Sequence, residues 1–137
     1  MSLTRTPSVL LIGLSFDHPA IAEHMKPTLS SNVASIEDLM PKEGYEFKAH
    51  FFGPQDLEKT PSAFVSPVVE VLKAVKWDVV VIGFGIRGNP ALTVFFEGLV
   101  DAVREWAPQA GLGFNDGPKP EATVDAAKRV MARAVTE

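Results

Sequence analysis

Two short apolar runs constrain this chain more than anything else in it: Val9 to Gly13 reads VLLIG, and Val79 to Gly83 reads VVVIG. A strand solvated on one face alternates apolar and polar residues, whereas a strand covered on both faces is apolar throughout. Both runs are of the second kind. Each ends in glycine and is followed by sequence with helical spacing, so the pair predicts βαβ units and a parallel sheet between two layers of helices.

Two further strands complete the sheet. From Tyr45 to Phe52, Tyr45, Phe47, Ala49 and Phe51 alternate with Glu46, Lys48, His50 and Phe52, as expected of an edge strand with one mainly polar face. Gly111 to Asn115 is short and glycine-weakened, which also suits an edge. With the two fully apolar strands central, the expected fold is a three-layer α/β sandwich whose four-stranded parallel sheet has the order 2-1-3-4. At 137 residues, 46% hydrophobic and 22% charged, the chain reads as one α/β domain over 1–137.

The helices follow from caps and periodicity. Asn89 caps a helix that starts at Pro90 and runs to about Trp106, with Leu92, Phe95, Phe96, Leu99, Val100, Val103 and Trp106 on its apolar stripe. A terminal helix spans about Glu121 to Ala134. Ser66 and Pro67 offer the cap and first turn of a helix through Val75, with Thr60-Pro61 as an earlier start or a separate turn. Between the first two strands, Pro19, Pro27 and Pro41 predict two short helical pieces. Ser35 and Asp38 would open the second as a loose capping box, and Gly44 would end it. Thr28 to Asn32 would be the polar hinge, making Met25 to Ser35 either a mobile flap over the ligand crevice or an ordinary surface connection.

In a sheet of order 2-1-3-4 the connections after strands one and three leave toward opposite faces and open a crevice at the carboxyl ends. Four loops border it: Leu14 to His18, Gly53 to Asp56, Phe84 to Asn89 and Asp116 to Lys119. The third-strand loop, Gly83-Phe84-Gly85-Ile86-Arg87-Gly88, is a literal G-x-G-x-x-G. As a dinucleotide fingerprint it fits poorly, because Asn89-Pro90 delays the helix and the strand-end acid, Asp116, comes late. A generic glycine-rich turn, explained by backbone permissiveness alone, is the simpler reading, and the broader functional one is that its main-chain N–H groups approach a carboxylate or phosphate. Arg87 would add its fork to that anion, or else pair with a surface carboxylate or stay solvated.

The first loop sets Ser15, Asp17 and His18 beside the crevice. His18 is the acid-base candidate, since an unperturbed histidine titrates at ~6.5; the alternative is that Asp17 or His18 simply caps the helix begun by Pro19, a role that suits Asp17 better. Asn115 and Asp116 emerge at the end of strand four, where they can hydrogen bond a polar ligand, although the turn-forming sequence alone explains them. The expected ligand set is therefore Ser15, Gly83, Gly85, Arg87, Gly88, Asn89, Asn115 and Asp116, with Asp17 and His18 as catalytic candidates.

Composition excludes several classes. A formal charge of -4 without a Lys/Arg patch argues against nucleic acid. With no cysteine there is neither a disulfide nor a thiolate nucleophile, which fits a reducing cytosol. The N-terminus MSLTRTPSVLLIG has too short an apolar run for a signal core or a membrane span, so a cytoplasmic protein without a membrane partner is expected. His18, His24 and His50 lack metal-ligand spacing, and the last two read as solvated. No motif names a cofactor.

The strand order is similar to that of flavodoxin-like domains, the half-Rossmann beginning of a doubly wound sheet. Gly83-Phe84-Gly85 stands where a receiver domain carries its phosphorylatable aspartate, and Ser15 stands alone where a flavodoxin has a hydroxyl-rich phosphate loop. The likeness is thus one of architecture, and function has to come from the site. The leading expectation is a small enzyme or binding protein for an anionic metabolite. The competing ones are a non-catalytic interaction module, including one that joins a second copy into a homo-oligomer, and a nucleotide or dinucleotide binder.

Overall fold

The two apolar runs lie side by side at the centre of the sheet. In a computed structural model, which describes residues 6–15, 21–53, 61–117 and 119–136 (backbone alone at 61–66 and 134–136), β1 (Ser8–Leu14) pairs in parallel with β3 (Val79–Ile82). β2 (Glu46–Phe52) runs parallel to β1 on the outside, and β4 (Gly111–Phe114) parallel to β3. The order is β2-β1-β3-β4, an α/β fold of flavodoxin-like topology.

The pleat sends alternate side chains to opposite layers. Leu10, Ile12, Val80 and Ile82 pack toward α2 (Pro61–Ala74) and α4 (Thr93–Trp106), whereas Val9, Leu11, Val79 and Val81 pack toward α1 (Lys26–Lys42) and α5 (Pro120–Thr136). All eight are at most 4% exposed. Burying each contributes on the order of 1.5–3 kcal/mol, which is why both layers form. A helical turn, α3 (Phe84–Arg87), lies between β3 and α4. No helix among the described residues is long and apolar enough to cross a membrane.

Several sequence expectations need correction. Met25 to Ser35 contains no hinge, because α1 runs unbroken for 17 residues with Pro27 in its first turn, where no intrahelical donor is needed. Pro41 falls in the last turn, and Gly44, at φ 92°, ends the segment as expected. Ser35 forms no capping box: its hydroxyl donates to Ser31 O at 3.1 Å, and Asp38 pairs with Lys42 at 2.8 Å. The flap therefore loses its physical basis, since Thr28 to Asn32 is helical. In α2, Ser66 and Pro67 lie inside the helix, which begins at Pro61. Asp17, His18, Pro19 and Thr60 lie outside the described residues, as do Pro118 and 54–56 of the second loop.

Asn89 caps as expected, its Oδ1 accepting from Ala91 N–H at 3.0 Å, but the first turn at Pro90–Leu92 is a 3-10 turn. Trp106 leaves the buried stripe and is 40% exposed, with Lys73 Nζ 5.0 Å from its ring. His24 is exposed, whereas His50 is half-buried with its ring edge-on to Phe52 at 5.0 Å. The strand periodicity had marked His50 as outward-facing and did not register that Phe52, on the same face, is a core residue.

The glycines of β4 have a packing reason. A Cβ on Gly111 would overlap Val130 Cγ1, and one on Gly113 would come within 2.9 Å of Val130 Cγ2, so α5 sits on the sheet only because these positions are bare. We expect Gly111→Ala to cost about 1–3 kcal/mol, the usual cost of overpacking. In urea unfolding, Gly111→Ala with Val130→Ala should lose less than the sum of the two single changes. Additive losses would show that the two positions do not meet.

Candidate functional site

After β1 the chain passes to the α1 and α5 layer, and after β3 it passes to the α2 and α4 layer. At the carboxyl ends of these strands lies a cleft of about 300 Å3. Gly13 and Gly83 border it at the ends of the two central strands, Phe51 from β2 joins them, and Met25, Leu29 and Val33 close one side. Phe84, Gly85 and Asn115 close the other. The described lining is apolar apart from Asn32 and Asn115, and no charged side chain is part of it.

The α3 turn owes its shape to short main-chain bonds. Ile86 and Arg87 N–H donate to Gly83 O at 3.1 Å, and Gly88 N–H donates to Phe84 O at 2.7 Å. Gly44 alone among the described residues has a positive φ, so Gly83, Gly85 and Gly88 are not there for left-handed backbone. Close approach bears on one of them: a Cβ on Gly88 would stand 2.7 Å from the Phe84 ring, whereas one on Gly83 would make ordinary contact with Ile12 O at 3.4 Å. The long helix α4 begins only after Gly88, Asn89 and the 3-10 turn, so the G-x-G-x-x-G does not lead directly into a long helix.

Asn115 fastens this turn to the rest of the fold. It is 7% exposed, its Oδ1 accepts from Phe84 N–H at 2.7 Å, and its Nδ2 donates to Thr123 Oγ1 of α5 at 3.2 Å. Arg87 holds the same residue from outside, donating through Nη2 to Asn115 O at 3.1 Å. Its guanidinium lies 5.1 Å from the Phe84 ring centre and 5.7 Å from that of Phe114. Arg87 thus has two aromatic neighbours and is not simply solvated.

Of the expected ligand set, Gly83, Gly85 and Asn115 come together at the cleft, while Arg87, Gly88, Asn89 and Asp116 do not line it. Ser15 is half-buried beside the cleft, with its N–H donating to Phe52 O at 2.9 Å. Asp17 and His18 are outside the described residues. Sequence reasoning set Met25 to Ser35 over the crevice as a flap and missed that a continuous helix, α1, lines it. Its signal was the spacing of Met25, Leu29, Val33, Ile36 and Met40, which runs through Pro27 without a break.

The displaced ionisations lie toward the amino end of the sheet. A hydrogen bond to Glu43 raises the pKa of Lys128, one to Asp38 raises that of Lys42, and burial raises that of Tyr45. Among the described residues no group of three or more His, Asp or Glu side chains could hold a metal ion. Compared with known proteins, the sequence matches no family model and no curated protein at a significant level.

Removing the Asn115 side chain leaves Phe84 N–H without its acceptor. We expect Asn115→Ala to lower stability by about 1–3 kcal/mol and to speed hydrogen exchange at the Phe84 amide. Unchanged exchange there would show that the turn is held by something else.

Proposed function

We propose that the chain binds a small organic anion, a carboxylate or phosphate on an apolar body, in the cleft at the carboxyl ends of β1 and β3. The observation that carries this reading is the cleft itself, about 300 Å3 at the reversal of a doubly wound sheet, where such folds hold ligands. Its apolar lining favours the body of the ligand, at roughly 25 cal/mol for each Å2 of apolar surface removed from water. The anionic group sits at the rim, against the main chain of Gly83 to Gly85. Gly85, second in α3, has no intrahelical partner for its N–H, and no acceptor meets it among the described residues.

Arg87 acts in this reading as a positioning residue, keeping the Phe84 turn and Asn115 in place from outside the cleft. In the catalytic form of the reading His18 exchanges the proton and Asp17 assists it, roles that come from the sequence. A cytoplasmic location belongs to the same proposal and rests on the cysteine-free composition.

Thermal shift tests the reading, because a ligand selective for the native state raises apparent stability. Hexanoate, benzoate and phenyl phosphate are expected to raise the Tm in a concentration-dependent way, with acetate and inorganic phosphate much weaker. Val33→Trp, which fills the cleft, should abolish the response. No response to any of the five, from a chain that associates with itself in solution, would favour an interaction module instead.

A further inference from the structure

The inward stripe that starts at Met25 and continues along α1 through Leu29, Asn32, Val33, Ile36 and Met40 has one polar member, Asn32. Ile36 and Met40 are buried in the core, whereas Leu29, Asn32 and Val33 are half-buried and border the cleft. Asparagine is among the weaker helix formers, so helix propensity does not account for a carboxamide here.

The Asn32 side chain makes no hydrogen bond among the described residues, and its amide atoms are not buried. Asn115, the other polar side chain of the described lining, is committed through both side-chain heteroatoms to Phe84 N–H and Thr123 Oγ1. Asn32 is therefore the described lining side chain whose amide oxygen and nitrogen are both without a protein partner.

We infer that Asn32 is the specificity-determining residue of the cleft, and that the ligand carries a neutral planar group with adjacent donor and acceptor, a carboxamide, lactam or imide, on its apolar body. This rests on reading the cleft as a small-molecule site. The chemistry follows from the asparagine side chain, which presents a donor and an acceptor in one plane and so matches another amide edge through two antiparallel hydrogen bonds. A carboxylate would accept from Nδ2 but set a second acceptor against Oδ1. An alkyl group would leave both atoms unpaired. The anionic group of the ligand stays at the rim, and the amide edge lies deeper, facing α1.

The test uses the intact chain with isocarbostyril, a bicyclic lactam, and N-methylisocarbostyril, which keeps the body and loses the donor. Wild type is expected to bind the lactam about tenfold more tightly, the order of magnitude of a paired edge. Asn32→Leu, which removes both the donor and the acceptor and improves helix propensity, should remove that preference. The Asn32 side-chain amide resonance should also shift when the lactam is added. Equal affinity of the two compounds for wild type, or a preference that survives Asn32→Leu, overturns the assignment, even if benzoate binds in a way that Val33→Trp abolishes. If neither compound binds and the thermal-shift panel is silent as well, the reading of the cleft fails with it.

Discussion

Burial of β1 and β3 on both faces is the constraint from which the rest follows. Val9, Leu11, Val79 and Val81 on one side and Leu10, Ile12, Val80 and Ile82 on the other each need a cover, so the helices must divide between two layers. With β2 outside β1 and β4 outside β3, the connection after β1 lies in one layer and that after β3 in the other. The cleft is the space between connections that diverge. It exists because of how the core is covered, before any ligand is considered.

That space keeps its shape through polar contacts at a point where the backbone could otherwise relax. Asn115 bonds to the α3 turn and to the terminal helix α5, which pack on opposite sides of the sheet, and its own carbonyl accepts from Arg87. A buried amide with both heteroatoms satisfied is favourable, and the same amide half satisfied is a liability. The arrangement therefore couples the turn beside the cleft to the seating of α5. The bare faces of Gly111 and Gly113 set how closely that helix approaches.

What could be read in advance were the features carried by contiguous residues: the doubly apolar strands, the edge pattern of β2, the strand order and the Asn89 cap. What could not be read depended on partners remote in sequence. Arg87 meets Asn115 across 28 positions, and nothing in Gly85 to Gly88 announces Phe114 as its second aromatic neighbour. Backbone permissiveness is the reading that the glycines after β3 invite, whereas Gly88 stands bare beside the Phe84 ring. Pro27 was read as a break because its rule has two forms. The same residue that interrupts a helix interior opens a helix when it falls in the first turn.

The continuity of α1 changes what the cleft can do. One helix supplies core residues at its carboxyl half, Ile36 and Met40, and cleft residues at its amino half, Leu29, Asn32 and Val33. Its two halves therefore differ in how much apolar surface they already bury, and the amino half has contacts still to gain. A ligand that fills the cleft would complete burial along a stripe anchored in the core at its other end. Binding would then be read out as stabilisation of the whole helix and not as closure of a separate flap. In a fold of this kind the cheapest way to couple a site to stability is to build one side of it from a core helix. α1 meets that condition.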